Sequence, residues 1–357
     1  MGDKIVIKSK FHNIVNCPMR YPTDYILEDQ DVALKSDDGK LIPIQFSTID
    51  GKKYMVFIIS LMKGEEKTFE IVKGVNCPSK AELIQKFYSK SVDIMLGGKL
   101  FTSYVYDNKF AKPYLGPVYN KEGESYTRLD LLTKEHPHQR SVFLGIGDVN
   151  GIDFWNEPDN MGLQRHLGFE NITQGPIFAA FTTENIWSDI NENAIMREKR
   201  RITIYNQSEE NRFLDLEFTF FADYGDISFG ETKEAGPLGI RMNEALKVQN
   251  GGIITNSYGA VNEEECWGRP AQWCDYSGKL NGNEYGLSVF DNPNNERFPT
   301  CWHVRDYGLF AANNFYFKGG LNINKGNKLT YKYRLCFHEG NVISADISEK
   351  YLSYINF

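Results

Sequence analysis

No apolar run in this chain of 357 residues approaches the ~20 residues that a membrane-spanning helix requires. The longest, Met55–Met62, is far too short, so no membrane partner is expected. Long basic tracts are also missing. No Lys/Arg run exceeds Lys199-Arg200-Arg201, and the formal net charge is −7, which argues against a nucleic-acid partner. The 6 cysteines form no CxxC pair and no regular framework, and the spacing of Cys266 and Cys274 does not suit a zinc knuckle. The N-terminal Met1-Gly2-Asp3-Lys4 leads into no apolar leader core. Reduced thiols in a cytoplasmic protein are therefore the expectation. P-loop, GxGxxG, GxSxG and HExxH signatures are absent as well. Their absence argues against a nucleotide cofactor and against serine-hydrolase chemistry. No internal repeat or low-complexity tract appears.

The chain is instead rich in aromatics, at 14%, and in short alternating segments. Lys99–Tyr106, Arg201–Tyr205, Phe213–Phe220 and Leu329–Leu335 alternate apolar and polar residues as half-buried strands do, and Lys4–Lys8 and Leu41–Phe46 are short strand candidates. Tyr54–Ile59 is continuously apolar, as in a strand buried on both faces. Ser79 and Glu82 read as a capping box opening a helix over 79–88, with Leu83, Ile84 and Phe87 toward the core. Many short strands without a βαβ rhythm predict a mainly β protein, a large antiparallel β-sandwich with one or two short helices. A soft boundary near residue 92 divides an N-terminal β layer (1–92) from a main sandwich domain (93–357).

Four segments concentrate polar chemistry. The first is Glu135-His136-Pro137-His138-Gln139-Arg140, followed by Asp148, Asn150, Asp153 and Trp155. If extended, His136, His138 and Arg140 share one face. Two imidazoles there can hold a divalent metal with a further acidic ligand, or pair an acid/base with a cationic clamp. The alternative is loop capping at a sheet rim. The second, Ser228–Arg241, packs Glu231, Lys233, Glu234 and Arg241 into a Gly/Pro-constrained loop, which reads either as a catalytic carboxylate loop or as a solvated turn. The third is the strand Trp302–Tyr307, with His303, Arg305 and Tyr307 on one face and Trp302, Val304 and Asp306 on the other. It lines a cleft or forms an ion-pair network. The fourth, Cys266–Gly278, carries Trp267 and Trp273, which are stacking platforms for a sugar ring or core pegs.

Taken in order, these segments resemble the family labelled methane-oxygenase PmoA-like. The resemblance runs through Lys112-Pro113-Tyr114, His136-Pro137-His138, Gly147–Gly151, Phe154-Trp155, Thr232-Lys233-Glu234, Trp267-Gly268, Asp275–Gly278 and Trp302–Gly308, and covers roughly 98–340. It departs where a typical Asp-His-Pro-His-His-Arg stands as Glu135–Arg140, where a typical Asp-His-Pro stands as Asp291-Asn292-Pro293, and where Phe298 replaces a histidine. The label conflicts with the lack of spanning segments. The resemblance implies a role in bacterial sugar catabolism.

The expected function is a carbohydrate-active enzyme that cleaves or rearranges a glycoside or an oxidised (keto) sugar. His136, His138, Glu234 and His303 are the candidate catalytic groups, with His136 or His303 as acid/base and Glu234 as its carboxylate partner. Arg140, Asp148, Asn150, Trp155, Lys233, Trp267, Trp273, Arg305, Asp306 and Tyr307 are the candidate substrate contacts. His136 and His138 are the candidate metal ligands. The alternatives are a non-catalytic sugar-binding protein and a mutarotase-like epimerase on a mutarotase-like supersandwich. In each case the partner is a small-molecule or oligosaccharide ligand.

Overall fold

Strands Asn211–Phe221 and Lys328–Glu339 realise the alternation seen at 213–220 and 329–335. They lie side by side, antiparallel, with Leu216 opposite Tyr333 and Phe218 opposite Tyr331. The computed structural model describes residues 3–24, 32–49 and 51–356. Around this pair grows an eight-stranded sheet in the order 163–173, 178–188, 194–205, 211–221, 328–339, 283–291, 273–280, 253–256. A second eight-stranded sheet packs on one of its faces. Its order is 301–305, 309–313, 235–241, 142–146, 114–115, 99–105, 91–96, 81–86. Among the described residues the strands of both sheets pair antiparallel. The architecture is a large antiparallel β-sandwich.

The period of two along each strand sorts residues between layers. Leu144, Ile146, Ile240, Trp302, Val304 and Phe310 point inward and meet Ile202, Leu216, Tyr331 and Leu335 in the main core. The far face of the first sheet presents Phe178, Tyr205, Phe213, Trp273, Phe290 and Cys336 to a second core. That core is completed by the N-terminal strands, through Leu34, Phe57 and Phe69, and by helix α2 (Ile347–Asn356), through Ile347 and Tyr351. A short helix, α1 (Asn262–Cys266), precedes Trp267. Among the described residues no helix is long and apolar enough to cross a membrane, and no disulfide forms.

The expected helix over 79–88 is a strand. Ala81–Lys86 pairs antiparallel with Ser91–Leu96, from Ala81 opposite Leu96 to Lys86 opposite Ser91. An isolated ten-residue helix is marginal in water, whereas this ladder satisfies the backbone at the sheet edge. Ile84 and Phe87 stay exposed instead of turning toward a core. Residue 92 falls inside the strand Ser91–Leu96. The run 41–46 divides into Leu41–Pro43 and Gln45–Ile49, which join two different small sheets.

One glycine fixes the spacing of the strands beneath the polar cleft. A methyl at Gly236 would meet the carbonyl oxygen of Ala312 on the neighbouring strand. Gly236→Ala is expected to lower stability by about 1–3 kcal/mol, the usual cost of overpacking. Chemical denaturation of both forms measures this, and an unchanged midpoint would rule out the close approach.

Candidate functional site

The outer face of the 301–305/81–86 sheet carries a small apolar floor of Tyr114, Phe143, Trp155, Leu309 and Ala311. Above it opens a cleft of about 370 Å³ lined by His136, His138, Gln139, Trp155, Asn156, Lys233, Glu234, Glu263, His303, Arg305, Tyr307 and Leu309. Strand alternation delivers two of these side chains. In Cys301–Arg305, Trp302 and Val304 enter the main core while His303 and Arg305 face the cleft. The strand ends there, because Gly308 N–H donates to the Arg305 carbonyl at 3.0 Å. That turn brings Tyr307 back to the cleft and directs Asp306 elsewhere.

Residues 136–140 are not extended. His136 sits at φ 48°, and its carbonyl accepts from Gln139 N–H at 3.0 Å. A left-handed non-glycine residue costs free energy that its surroundings must offset. Here Arg128 donates to the same carbonyl at 3.0 Å. Glu135 then ties the turn together. It accepts from Arg241 at 2.9 Å, from Arg128 at 3.1 Å, and contacts His136 Nδ1 at 3.1 Å. Burial alone would raise the Glu135 carboxyl, but the Arg241 hydrogen bonds and charge outweigh it and hold it at about 2. The His136 ring stacks on Tyr307 at 5.1 Å and 6°, and the Arg241 guanidinium lies 4.6 Å from that tyrosine ring. With Nδ1 engaged by Glu135, Nε2 of His136 is the nitrogen left for the cleft.

His138 and His303 are buried, at 7% and 3% exposure. Among the described residues neither His138 Nε2 nor His303 Nδ1 has a hydrogen-bond partner. Burial pushes His138 down to about 4, and the Lys112 ammonium behind it acts in the same direction. His303 is likewise held at about 4 by burial and by Arg305, against the Lys233 carbonyl. Both rings are therefore neutral at physiological pH, the form able to accept a proton. The His303 ring lies 6.5 Å from Trp155 at 18°.

Two neighbouring loops are set by the polar side chains of Asp153 and Asn313. Asp153 accepts from the Trp155 and Asn156 backbone N–H groups at 2.7 and 2.9 Å. The fully buried Asn313 donates to the Lys233 carbonyl at 3.0 Å and accepts from Tyr316 N–H at 2.9 Å. Glu234 faces the cleft with Lys233 Nζ 3.4 Å from its Oε1. Among the described cleft histidines, the carboxylate contact is made by Glu135 to His136, not by the expected Glu234.

Of the expected site residues, His136, His138, Trp155, Lys233, Glu234, His303, Arg305 and Tyr307 line one cleft. The others lie elsewhere. Arg140 turns back to Glu157, donating at 2.6 and 2.9 Å. Asp148 accepts from Gly151 N–H at 2.8 Å, and Asn150 accepts from Ser228 N–H at 2.6 Å; both are spent on turns. Asp306 accepts from the Glu263 N–H at 3.0 Å at the start of α1. Trp267 packs against Phe317 beneath the Arg305 guanidinium. Trp273 sits in the second core, across the sandwich. The cleft also holds Gln139, Asn156, Glu263 and Leu309, which sequence reasoning did not select. Glu263 lay in the run Glu263-Glu264-Glu265, which looks like any solvated helix face, and Gln139 gave no signal beyond its place beside His138. For the expected metal site, the His136 and His138 rings are 5.8 Å apart and edge-to-face. Among the described residues no group of three His, Cys, Asp or Glu side chains comes together to hold an ion, so no chemistry is routed through a metal below.

Behind the Trp155 wall, Glu157 accepts from both Lys112, at 2.8 Å, and Arg140. Burial would raise its carboxyl, but Arg140 and Lys112 outweigh that and hold it at about 2. A carboxylate held below its unfolded value of ~4.3 adds stability above that pH and loses it as pH falls toward its folded value. Glu157→Gln is expected to cost about 3 kcal/mol near neutral pH. The gap should narrow progressively as pH falls below about 4. Denaturant midpoints for both forms near neutrality and near pH ~3 test this, and an equal gap at both would show that the charge is not responsible.

The fold and site together define an antiparallel β-sandwich with an imidazole-lined cleft on one outer face. The chain belongs to the family of unknown function DUF6807, whose model matches residues 91–352 and so spans every cleft residue. That match replaces the resemblance to the methane-oxygenase PmoA-like family, for which it gives no support. No curated protein matches the chain in sequence. Solved structures with some likeness include an α-galactosidase from Lactobacillus brevis (10% identity, TM-score 0.37, 76% of this chain and 42% of that one). A galactose 1-epimerase from Lactobacillus acidophilus follows (12%, 0.36, 74% and 100%), then a GalM/aldose epimerase homologue from C. elegans (9%, 0.30, 74% and 99%). The chain thus spans under half the length of the galactosidase. With TM-scores this low, the functional reading rests on the site alone.

Proposed function

We propose that this protein is a carbohydrate-active enzyme that uses imidazole acid–base chemistry to cleave or rearrange a glycoside or an oxidised sugar. The observation that carries the proposal is the convergence of His136, His138 and His303 on one polar cleft, two of them buried with an unsatisfied ring nitrogen. A buried polar atom without a partner is costly, and a substrate hydroxyl or carbonyl would supply the missing bond. In this reading His138 or His303, uncharged at neutral pH, accepts a proton from a hydroxyl, from water, or from a carbon beside a carbonyl. His136 presents Nε2 to the reacting atoms, with Glu135 fixing its orientation. Lys233 and Glu234 flank the same space and complete the polar wall. Trp155 and Tyr307 give the ring apolar surface to pack against. Cleavage by hydrolysis, cleavage by elimination and epimerisation of a free sugar all draw on this machinery. The choice among them is made by the substrate.

The test is incubation with a panel of glycosides, keto-glycosides and free aldoses, followed by mass spectrometry and by NMR of anomer exchange. His136→Ala is expected to lower turnover by about 10²–10⁴-fold, the usual worth of a positioned acid or base. Unchanged turnover in that variant, or binding without turnover by the native protein, would sink the enzymatic reading; the second result would leave a sugar-binding protein. A chelator added in parallel separates acid–base chemistry, which it leaves intact, from a metal-dependent reaction. Because the two buried imidazoles are held at about 4, activity should persist down to about pH 5 and fail as they charge below it. An acid limb near the ordinary histidine value of ~6.5 would show that neither buried ring is the base.

A further inference from the structure

The cleft wall carries two cations, Lys233 and Arg305, and two carboxylates, Glu234 and Glu263. They are already committed to one another. Arg305 donates to Glu263 in a short contact, and Glu263 is further held by the Asp306 N–H at 2.9 Å. Lys233 stands 3.4 Å from Glu234. The cations immediately behind the wall are matched too. Glu135 takes Arg241 and Arg128, and Glu157 takes Lys112 and Arg140. Of the residues lining the cleft, the buried polar atoms without a partner are His138 Nε2 and His303 Nδ1, and both belong to neutral rings.

We infer that the cleft selects an electrically neutral polyhydroxylated substrate and discriminates against sugar acids and phosphosugars, with Glu263 as the discriminating residue. The inference rests on the carbohydrate reading above and adds the substrate's charge class. An entering carboxylate or phosphate would give up its hydration and find Arg305 paired with Glu263 and the half-exposed Lys233 beside Glu234. Drawing Arg305 away would leave Glu263 partly buried beside a second anion, and like charges in contact cost several kcal/mol. A hydroxyl has no such difficulty, because it can donate to one ring nitrogen and accept from another.

Calorimetric titration with methyl pyranosides, their uronates and their 6-phosphates tests this. Within whichever sugar series binds, the neutral member should bind at least about tenfold more tightly than either anion. Glu263→Gln, which frees Arg305 and keeps the shape of the side chain, should shrink that ratio to below about threefold or reverse it. Arg305→Met should widen it, and serves if Glu263→Gln fails to fold. An anion that binds the native protein as tightly as its neutral counterpart overturns the inference and leaves the carbohydrate reading standing. A ratio unmoved by both substitutions overturns the role of Glu263. If no member of any series binds, the carbohydrate reading falls and the substrate class falls with it.

Discussion

Arg241 ends a strand with its side chain fully buried, and a buried guanidinium is tolerable only with its charge and donors answered. Glu135 answers it, reaching 106 residues along the chain. The same carboxylate takes Arg128 and fixes His136 Nδ1. One ion cluster thus pins the segment 135–139 to the sheet, holds His136 in its left-handed conformation and presents that ring against Tyr307. Remove the cluster, and nothing in the local sequence would hold two histidines at the cleft, since Pro137 and the turn at Gln139 favour no single exposed geometry.

The rest of the site depends on the two-residue period of strands that have a core on one side and a cleft on the other. Trp302 and Val304 are worth burying, so His303 and Arg305 are obliged to face outward. Phe143 and Leu309, on the outward side of their strands, build the apolar floor under those polar groups. His138 and His303 are buried beside it. Their depressed ionisation follows from desolvation first and from neighbouring cations second. The pocket's chemistry is therefore a by-product of packing the outer face of the sheet as well as the inner one.

Much of this was legible in the sequence, and the reasons differ by residue. The β-sandwich followed from alternation, which is a local signal. The face shared by His303 and Arg305 followed from the same rule applied within one strand. The rule failed at Arg140, because 136–140 forms a turn whose geometry is set by Arg128, a turn earlier in the chain, and by Arg241, remote in sequence. At Trp273 the sequence left a stacking platform and a core peg open, and the layers decide for the core. The 79–88 segment failed for a related reason. Its capping box and helical spacing were real, yet the ladder with 91–96 and the edge position outweighed local propensity. Glu263 could not be chosen from its neighbours, since its role depends on Asp306 and Arg305 meeting it across the fold.

Two carboxylates, Glu135 and Glu157, each share two cations on either side of the histidine segment. Each is held well below the usual carboxylate range by the cations it serves, against the pull of burial. Both therefore stay charged throughout the range in which His138 and His303 stay neutral. The site keeps permanent charges in pairs, both behind the wall and along it, and lines the cleft with the buried, uncharged rings of His138 and His303. Along the wall each charge stands beside one of opposite sign, so the groups there that still lack a partner are the uncharged, buried ring nitrogens of His138 and His303.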